Sequence, residues 1–226
     1  MLERLRLPGL GTWGEDPLWG SFYDWTVEHP GAGGPLWRLG VGSDLRLLYD
    51  ASSEIGRLPA GSHVLDVPCG GGVALRGLRP GQGVDYVAVD ISPVMLDRTL
   101  RRAVALGVDD QVHPQAADVG ELPFDDGSFD LVVTFTGLHC FPDPRQALRE
   151  MTRVLRPGGT ITGSAVLNDS GARYEPLRRM GRLSNLLGPS CTSADTLAWL
   201  AEGDVRDARL KLSGAIGYFR GLKSDT

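Results

Sequence analysis

Between residues 63 and 166, short apolar runs of strand length alternate with longer stretches of helical spacing, and this alternation constrains the fold more than any other feature of the chain. Residues 63–67, 86–89, 112–116 and 130–135 read as strands, three of them continuous enough in apolar character to be buried on both faces. Helices are expected over 93–106, with Ser92 as its cap, and over 143–154; Pro93 and Pro144 each fall in the first turn, where a missing N–H costs nothing. A short helix is expected over 73–78. Pro157-Gly158-Gly159 is expected to end the 143–154 helix, and 160–166 to form a fifth strand. A helix capped by Thr192 or Ser193 and running through Leu200, then β segments at 208–212 and 216–222, complete the pattern. The alternation predicts an α/β fold with a parallel sheet and helices on both faces. Ligands in such sheets lie beyond the carboxyl ends of the strands.

Residues 44–58 have helical apolar spacing with Asp44 as N-cap. The segment before them is rich in Gly, Pro and aromatics and holds four of the five tryptophans, Trp13, Trp19, Trp25 and Trp37. It reads as an N-terminal arm and lid over 1–43, set before a main domain at 44–226 that carries a cap insert at 168–190. A formal net charge of −5 argues against a broad nucleic-acid surface, which needs clustered Lys and Arg. Cys69, Cys140 and Cys191 form no CxxC pair, so no metal site or disulfide framework is expected. The opening MLERLRLPG lacks the apolar core of a secretory signal, and no apolar run nears the ~20 residues that span a bilayer. A cytoplasmic protein without stable membrane insertion is the expectation.

The densest chemical signal is VLDVPCGGG at 64–72, an apolar strand ending at Asp66 followed by a turn with Gly70, Gly71 and Gly72. Without Cβ atoms such a turn lets a ligand lie against the backbone. A nicotinamide cofactor uses a similar loop for its pyrophosphate, but the sixth position counted from Gly70 is Leu75, so that pattern fails. Asp66 suits a cationic ligand, such as one with an ammonium and a sulfonium. A second strand, in YVAVDISPVML at 86–96, delivers Asp90, whose carboxylate can accept bonds from two ribose hydroxyls. That favours an adenosine ligand without choosing between cofactors. AADVGELPFDDGSFDLVV at 116–133 then places Asp118 at a strand end, and LRPGG at 155–159 closes the next helix.

In order and spacing, these four segments resemble the class I S-adenosylmethionine-dependent methyltransferases, especially the small-molecule group called type 11 or UbiE-like. The resemblance covers roughly residues 44–166. It implies a Rossmann-like methyltransferase fold with a doubly wound, mostly parallel sheet of about seven strands, the last antiparallel. It also implies S-adenosyl-L-methionine as cofactor with S-adenosyl-L-homocysteine as product, and methyl transfer to an O, N or C atom of a small-molecule acceptor. Carried over residue by residue, it implies that Asp66, Cys69, Gly70 and Gly72 line the methionine side and ribose. Asp90 would hold the ribose diol, Ile91 and Met95 would pack on adenine, and Asp118 would accept from the adenine amine beside Val119. Phe135 and Thr136 would face the methionine part. The family usually has Gly where this chain has Pro68, a residue that fixes φ and removes a donor. Two other readings stay open on sequence: a cofactor-binding partner protein without transfer, and a nicotinamide-dependent oxidoreductase.

The loop after the fourth strand, FTGLHCFPD, offers His139 as the acid/base, since its ordinary pKa of ~6.5 suits proton removal near neutrality. The N/D-P-P-Y/F motif of amino-directed nucleic-acid methyltransferases is absent there. Tyr23 and Trp25, with Phe22 and Trp37, are expected to wall an acceptor pocket or to pack the arm on the core. Arg178 and Arg182, at i and i+4 in the insert, form either a solvated helix face or an attractant for an anionic acceptor or membrane surface.

Overall fold

A computed structural model describes residues 25–27, 29–184 and 186–225. Seven strands form one sheet: β1 (His63–Asp66), β2 (Asp85–Asp90), β3 (Val112–Ala116), β4 (Phe129–Phe135), β5 (Leu155–Val166), β6 (Val205–Ser213) and β7 (Ile216–Lys223). Their spatial order is β3-β2-β1-β4-β5-β7-β6. The first five run parallel, as the alternation predicts, and β7 is antiparallel to both its neighbours, as the resemblance implies. The order reverses direction at β1, so the crevice beyond its carboxyl end is the switch point where such sheets bind ligands.

The helices are α1 (Pro30–Gly40), α2 (Arg46–Ser52), α3 (Pro93–Leu106), α4 (Pro144–Val154), α5 (Glu175–Leu183) and α6 (Ser193–Glu202). Three start where short polar side chains can take an orphan N–H. Ser92 accepts from Met95, Asp143 accepts from Gln146, and Thr192 and Asp195 form a reciprocal capping box. Two cores flank the sheet. On one face Val64, Tyr86, Ala88, Leu131 and Val133 pack with Leu48, Ile55, Leu75 and Ala103; on the other Leu65, Val89, Val132 and Ile161 pack with Leu148, Met151 and Leu200. Each fully buried Leu, Ile or Val there contributes ~1.5–3 kcal/mol.

Three elements differ from the sequence reading. The 44–58 helix is cut short: α2 ends at Ser52, and only a single 3-10 turn, Ile55–Arg57, follows. Ser52 and Ser53 hydroxyls bond back to the carbonyls of Tyr49 and Asp50, offering the backbone an alternative to continued helix. The N-cap is Leu45 rather than Asp44, and no side chain caps this helix; the Asp44 carboxylate instead accepts from Arg46 N at 3.0 Å in a local turn. The 73–78 segment is a 3-10 turn, Val73–Gly77. Pro157-Gly158-Gly159 lies inside β5: Leu155 already pairs with Phe129, and the extra residues bulge out before Thr160 meets Leu131.

Ala215 N donates to Val41 O at 2.7 Å, and the Ser43 hydroxyl lies 3.1 Å from the Tyr218 hydroxyl, so the α1–α2 connection sits on the β6–β7 hairpin. Both sheet edges are blunted. β3 has Pro114 at its centre, and β6 carries Arg206, Arg209 and Lys211 with a register shift between the two arginines. No helix among the described residues is long and apolar enough to cross a membrane.

Candidate active site

At the switch point, β1 ends at Asp66 and the chain turns through Pro68, Cys69 and the glycines before the 3-10 turn. Gly70 and Gly72 have φ of +51° and +79°, left-handed values that L side chains rarely adopt. A Cβ at Gly70 would meet nothing within 4 Å, so this stretch of backbone borders open space. The loop is anchored on both sides. Cys69 N donates to Val89 O at 2.8 Å, and the Thr99 hydroxyl of α3 donates to Gly70 O at 2.8 Å. Burial pushes the Cys69 thiol up, which keeps it a neutral packing group.

Asp90, 7% exposed at the end of β2, ties this loop to the next helix. Its Oδ2 accepts from Gly70 N at 3.0 Å and its Oδ1 from Ser92 N at 2.9 Å. Burial raises its pKa, and the N–H groups of Ser92, Gly70 and Ile91 oppose that rise. A carboxylate has about four lone-pair sites, so capacity remains for hydroxyl donors from a ligand. Ile91, next to it, is 72% exposed, while Met95 in the first turn of α3 is buried. A large apolar side chain exposed beside a buried carboxylate fits a heteroaromatic ring stacked near a sugar.

Asp118 follows β3 and is exposed, with Oδ1 accepting from Gly120 N at 2.8 Å; Val119 turns inward to the core. The loop that carries both is stitched to α4 by residues the sequence reading passed over. Gln146 Nε2 donates to Gly120 O, Glu150 accepts from Leu122 N, and Arg153 reaches Leu122 O, Phe124 O, Glu150 and Asp126. Bonding to Arg153 holds the Glu150 carboxyl below its ordinary range. An i, i+3 acid–base pair on a strongly amphipathic helix was the available signal. Asp66, Asp90 and Asp118 therefore stand at or just past the ends of three adjacent parallel strands, with Asp66 paired in register with Ala88 and Asp90 with Ala116.

On the other side of β1, Phe135 is buried, and Thr136 has φ of +54° with its N–H donating to Ser164 O at 2.8 Å. Pro68 follows a cis peptide bond, and a Cβ at Gly137 would come 2.1 Å from its Cδ, so the two loops pack directly on each other. His139 is buried in the same loop. Its Nδ1 accepts from Val166 N at 3.1 Å, and its carbonyl accepts from Gly188 N at 2.8 Å. Burial lowers its pKa to about 4, so the ring is neutral near pH 7. A neutral imidazole has one lone-pair nitrogen, and here Val166 takes it.

The expected pocket walls are divided. Tyr23 and Phe22 lie outside the described residues. Trp25 is 42% exposed and stacks on His29 at 5.1 Å, whereas Trp37 is a core residue packed with Leu45 and Leu48. The turn that holds Trp25 rests beside the glycine loop, because Arg76 of the 3-10 turn donates to Val27 O. Neither expectation for Arg178 holds. It is 3% exposed and spent on Leu167 O, Ser170 Oγ, Gly171 O and Glu175, while Arg182 also pairs with Glu175. These arginines fasten α5 to itself and to residues 167–171 and do not form a basic face.

Comparison with known proteins bears on this arrangement. Residues 65–162 match the family profile described as a methyltransferase domain. The chain is 38% identical over 123 residues to 27-O-demethylrifamycin SV methyltransferase of Amycolatopsis mediterranei, covering 53% of this chain and 45% of that protein. It is 41% identical over 123 residues to demethylmenaquinone methyltransferase of Clavibacter sepedonicus, covering 54% and 48%. The chain thus spans about half the length of the curated relatives it matches. In fold it resembles phosphoethanolamine N-methyltransferase 2 of Haemonchus contortus, solved with S-adenosyl-L-methionine, at a TM-score of 0.67 and 16% identity, covering 79% of this chain and 52% of that one.

Proposed function

We propose that residues 65–162, which match a methyltransferase-domain profile, form a class I S-adenosylmethionine-dependent methyltransferase domain, and that the chain transfers a methyl group from S-adenosyl-L-methionine to an O, N or C atom of a small-molecule acceptor. The observation that carries this reading is the set of three carboxylates at the tips of adjacent parallel strands, beside a glycine turn that leaves its backbone open. The donor set fits the cofactor. Buried Asp90, with lone pairs left over, matches a ribose diol; exposed Ile91 matches the adenine face; Asp66 matches a cationic methionine end. A carboxylate at Asp66 fits a dinucleotide's pyrophosphate poorly, which disfavours the oxidoreductase alternative.

When bound, the cofactor supplies a methyl on a sulfonium, already joined to a good leaving group. The protein's share is alignment and exclusion of water. Asp66, Cys69, Gly70 and Gly72 are assigned to the methionine side, Asp90, Ile91, Met95, Asp118 and Val119 to the adenosine, and Phe135 and Thr136 to the rim near the transferred group. Trp25, the arm before it with Tyr23, and the 168–190 insert are assigned to the acceptor side as a cap. His139 is assigned to positioning: its bond to Val166 N and its carbonyl's bond to Gly188 N hold the loop after β4 against both β5 and the insert. Proton acceptance by that ring requires release of Val166 first, so an acceptor that loses its proton late or to water suits this site best.

Isothermal titration of the pure protein with S-adenosyl-L-methionine and S-adenosyl-L-homocysteine tests the cofactor. Incubation with methyl-labelled cofactor and a metabolite extract then tests transfer. Absence of binding by folded protein refutes the reading; binding with no labelled product in any extract favours the cofactor-binding partner instead.

A further inference from the structure

The carboxylates of this site are held differently. Asp90 is fixed by the backbone N–H groups of Gly70, Ser92 and Ile91, and Asp118 by that of Gly120. Asp66 is held by a side chain. The Tyr86 hydroxyl donates to Asp66 Oδ2 at 2.7 Å, and the two residues are 0% and 1% exposed. The register explains the reach. Tyr86 pairs with Val64 and Asp66 with Ala88, so the ring starts one diagonal step behind the carboxylate on the same sheet face and runs forward to it over the small Ala88. Packing alone does not call for the hydroxyl, since a phenylalanine fills nearly the same volume. A hydroxyl in an apolar interior is costly without a partner, and its partner here is the site's innermost acid.

We propose that Tyr86 is a positioning residue for Asp66, its hydroxyl fixing the orientation of the carboxylate and favouring the ionised form that can meet a cationic group of the cofactor. The proposal rests on the cofactor reading above. The other groups around Asp66 do not supply this. Asp90 across the strand tip and the Cys69 thiol in the loop are both acids. On this face β4 presents Leu131, Val133 and Phe135. Arg76 of the 3-10 turn lies over the Tyr49 ring and donates to Val27 O, and Arg102 of α3 packs by its Cδ near Gly72 and acts on Tyr49. Burial raises the Asp66 carboxyl to about 7, the Tyr86 bond works against that rise, and the Asp90 charge adds to it. Burial is the largest of these, and the phenol is the group that opposes it.

The test is Tyr86→Phe in the full chain, with two readouts. The first is the titration of the Asp66 carboxyl carbon by NMR in ligand-free protein. The second is S-adenosyl-L-homocysteine affinity by calorimetry from pH 6 to pH 9. The expected result is a higher Asp66 midpoint, and an affinity profile displaced to higher pH so that binding drops severalfold near pH 7 and recovers at pH 9. Asp66→Asn should flatten the profile. Superposable titrations and profiles for Tyr86→Phe and the unaltered protein overturn the proposal. If neither protein binds at any pH, the cofactor reading falls while the NMR titration still decides the role of Tyr86. Should Tyr86→Phe not fold, NMR of the unaltered protein decides instead: a Tyr86 Cζ resonance that shifts together with the titration of the Asp66 carboxyl supports the proposal, and one that does not follow it overturns it.

Discussion

Replacing Asp90 with asparagine separates what this carboxylate does for the protein from what it does for a ligand. Asp90 accepts from Gly70 N on one oxygen and from Ser92 N on the other. Asparagine keeps the shape but has one acceptor oxygen and one NH2, so one of these N–H groups must face another donor. A buried N–H left unsatisfied costs ~1–3 kcal/mol, and bonds to an ionised acceptor lie toward the upper end. Relief from burying the charge, visible in the raised Asp90 carboxyl, offsets part of that. The net loss is ~1–3 kcal/mol without any ligand. At ~2–4 °C per kcal/mol for a domain of this size, Tm falls by ~2–12 °C. Thermal denaturation by circular dichroism measures it. With S-adenosyl-L-homocysteine at ~100 times its Kd, the unaltered protein gains ~2.7 kcal/mol, and the variant at the same concentration should gain clearly less. An unchanged ligand-free Tm would falsify the claim that the loop and the α3 start share this acceptor. An equal ligand-induced shift would separate Asp90 from the cofactor.

Gly137→Ala should cost ~1–3 kcal/mol in urea denaturation, because its Cβ would lie 2.1 Å from Pro68 Cδ in a packed contact; unaltered stability would mean the two loops do not touch. Arg178→Ala strands Leu167 O, Ser170 and Gly171 O, and should cost about 3 kcal/mol or less, since Glu175 remains half exposed; proteolysis within 168–190 should quicken, and equal resistance would count against the fastening role. His139 has a folded pKa of about 4, below its ordinary ~6.5, so the folded protein binds this proton less and loses stability as pH falls from ~6.5 to 4. His139→Gln should flatten the Tm decline across that window. It should also keep turnover within about tenfold; a drop of ~10²–10⁴ would instead mean that the ring takes a proton.

The parts of the fold written in local chemistry were legible. Ser92, Asp143 and Thr192 each cap where their short polar side chains precede an apolar run, and the ends of β1 to β4 fall within a residue of the apolar runs. Asp66, Asp90 and Asp118 could be placed at strand tips because strand position follows from chain order. What failed depended on competition or on distance. The length of α2 turned on two serines bonding backward, and the bulge in β5 on a register that only the neighbouring strand sets. Arg178 resembled a surface residue by helical spacing, but its partners come from the loop before the helix. Tyr86 read as strand filler, since nothing local reveals where a hydroxyl ends up across a sheet. His139 was found by its loop, and its committed nitrogen was not, because Val166 lies on another strand.

The margins of the sheet carry a consequence for handling the protein. Pro114 interrupts the ladder that an incoming strand would need on one side, and Arg206, Arg209 and Lys211 repel a second copy of themselves on the other. Partly unfolded molecules that retain the sheet thus have no clean template along which to stack. Losses on heating or concentration should then begin from the apolar residues of α1, such as the 84% exposed Leu39, and a charge placed there should extend shelf life more than any change at the strand borders.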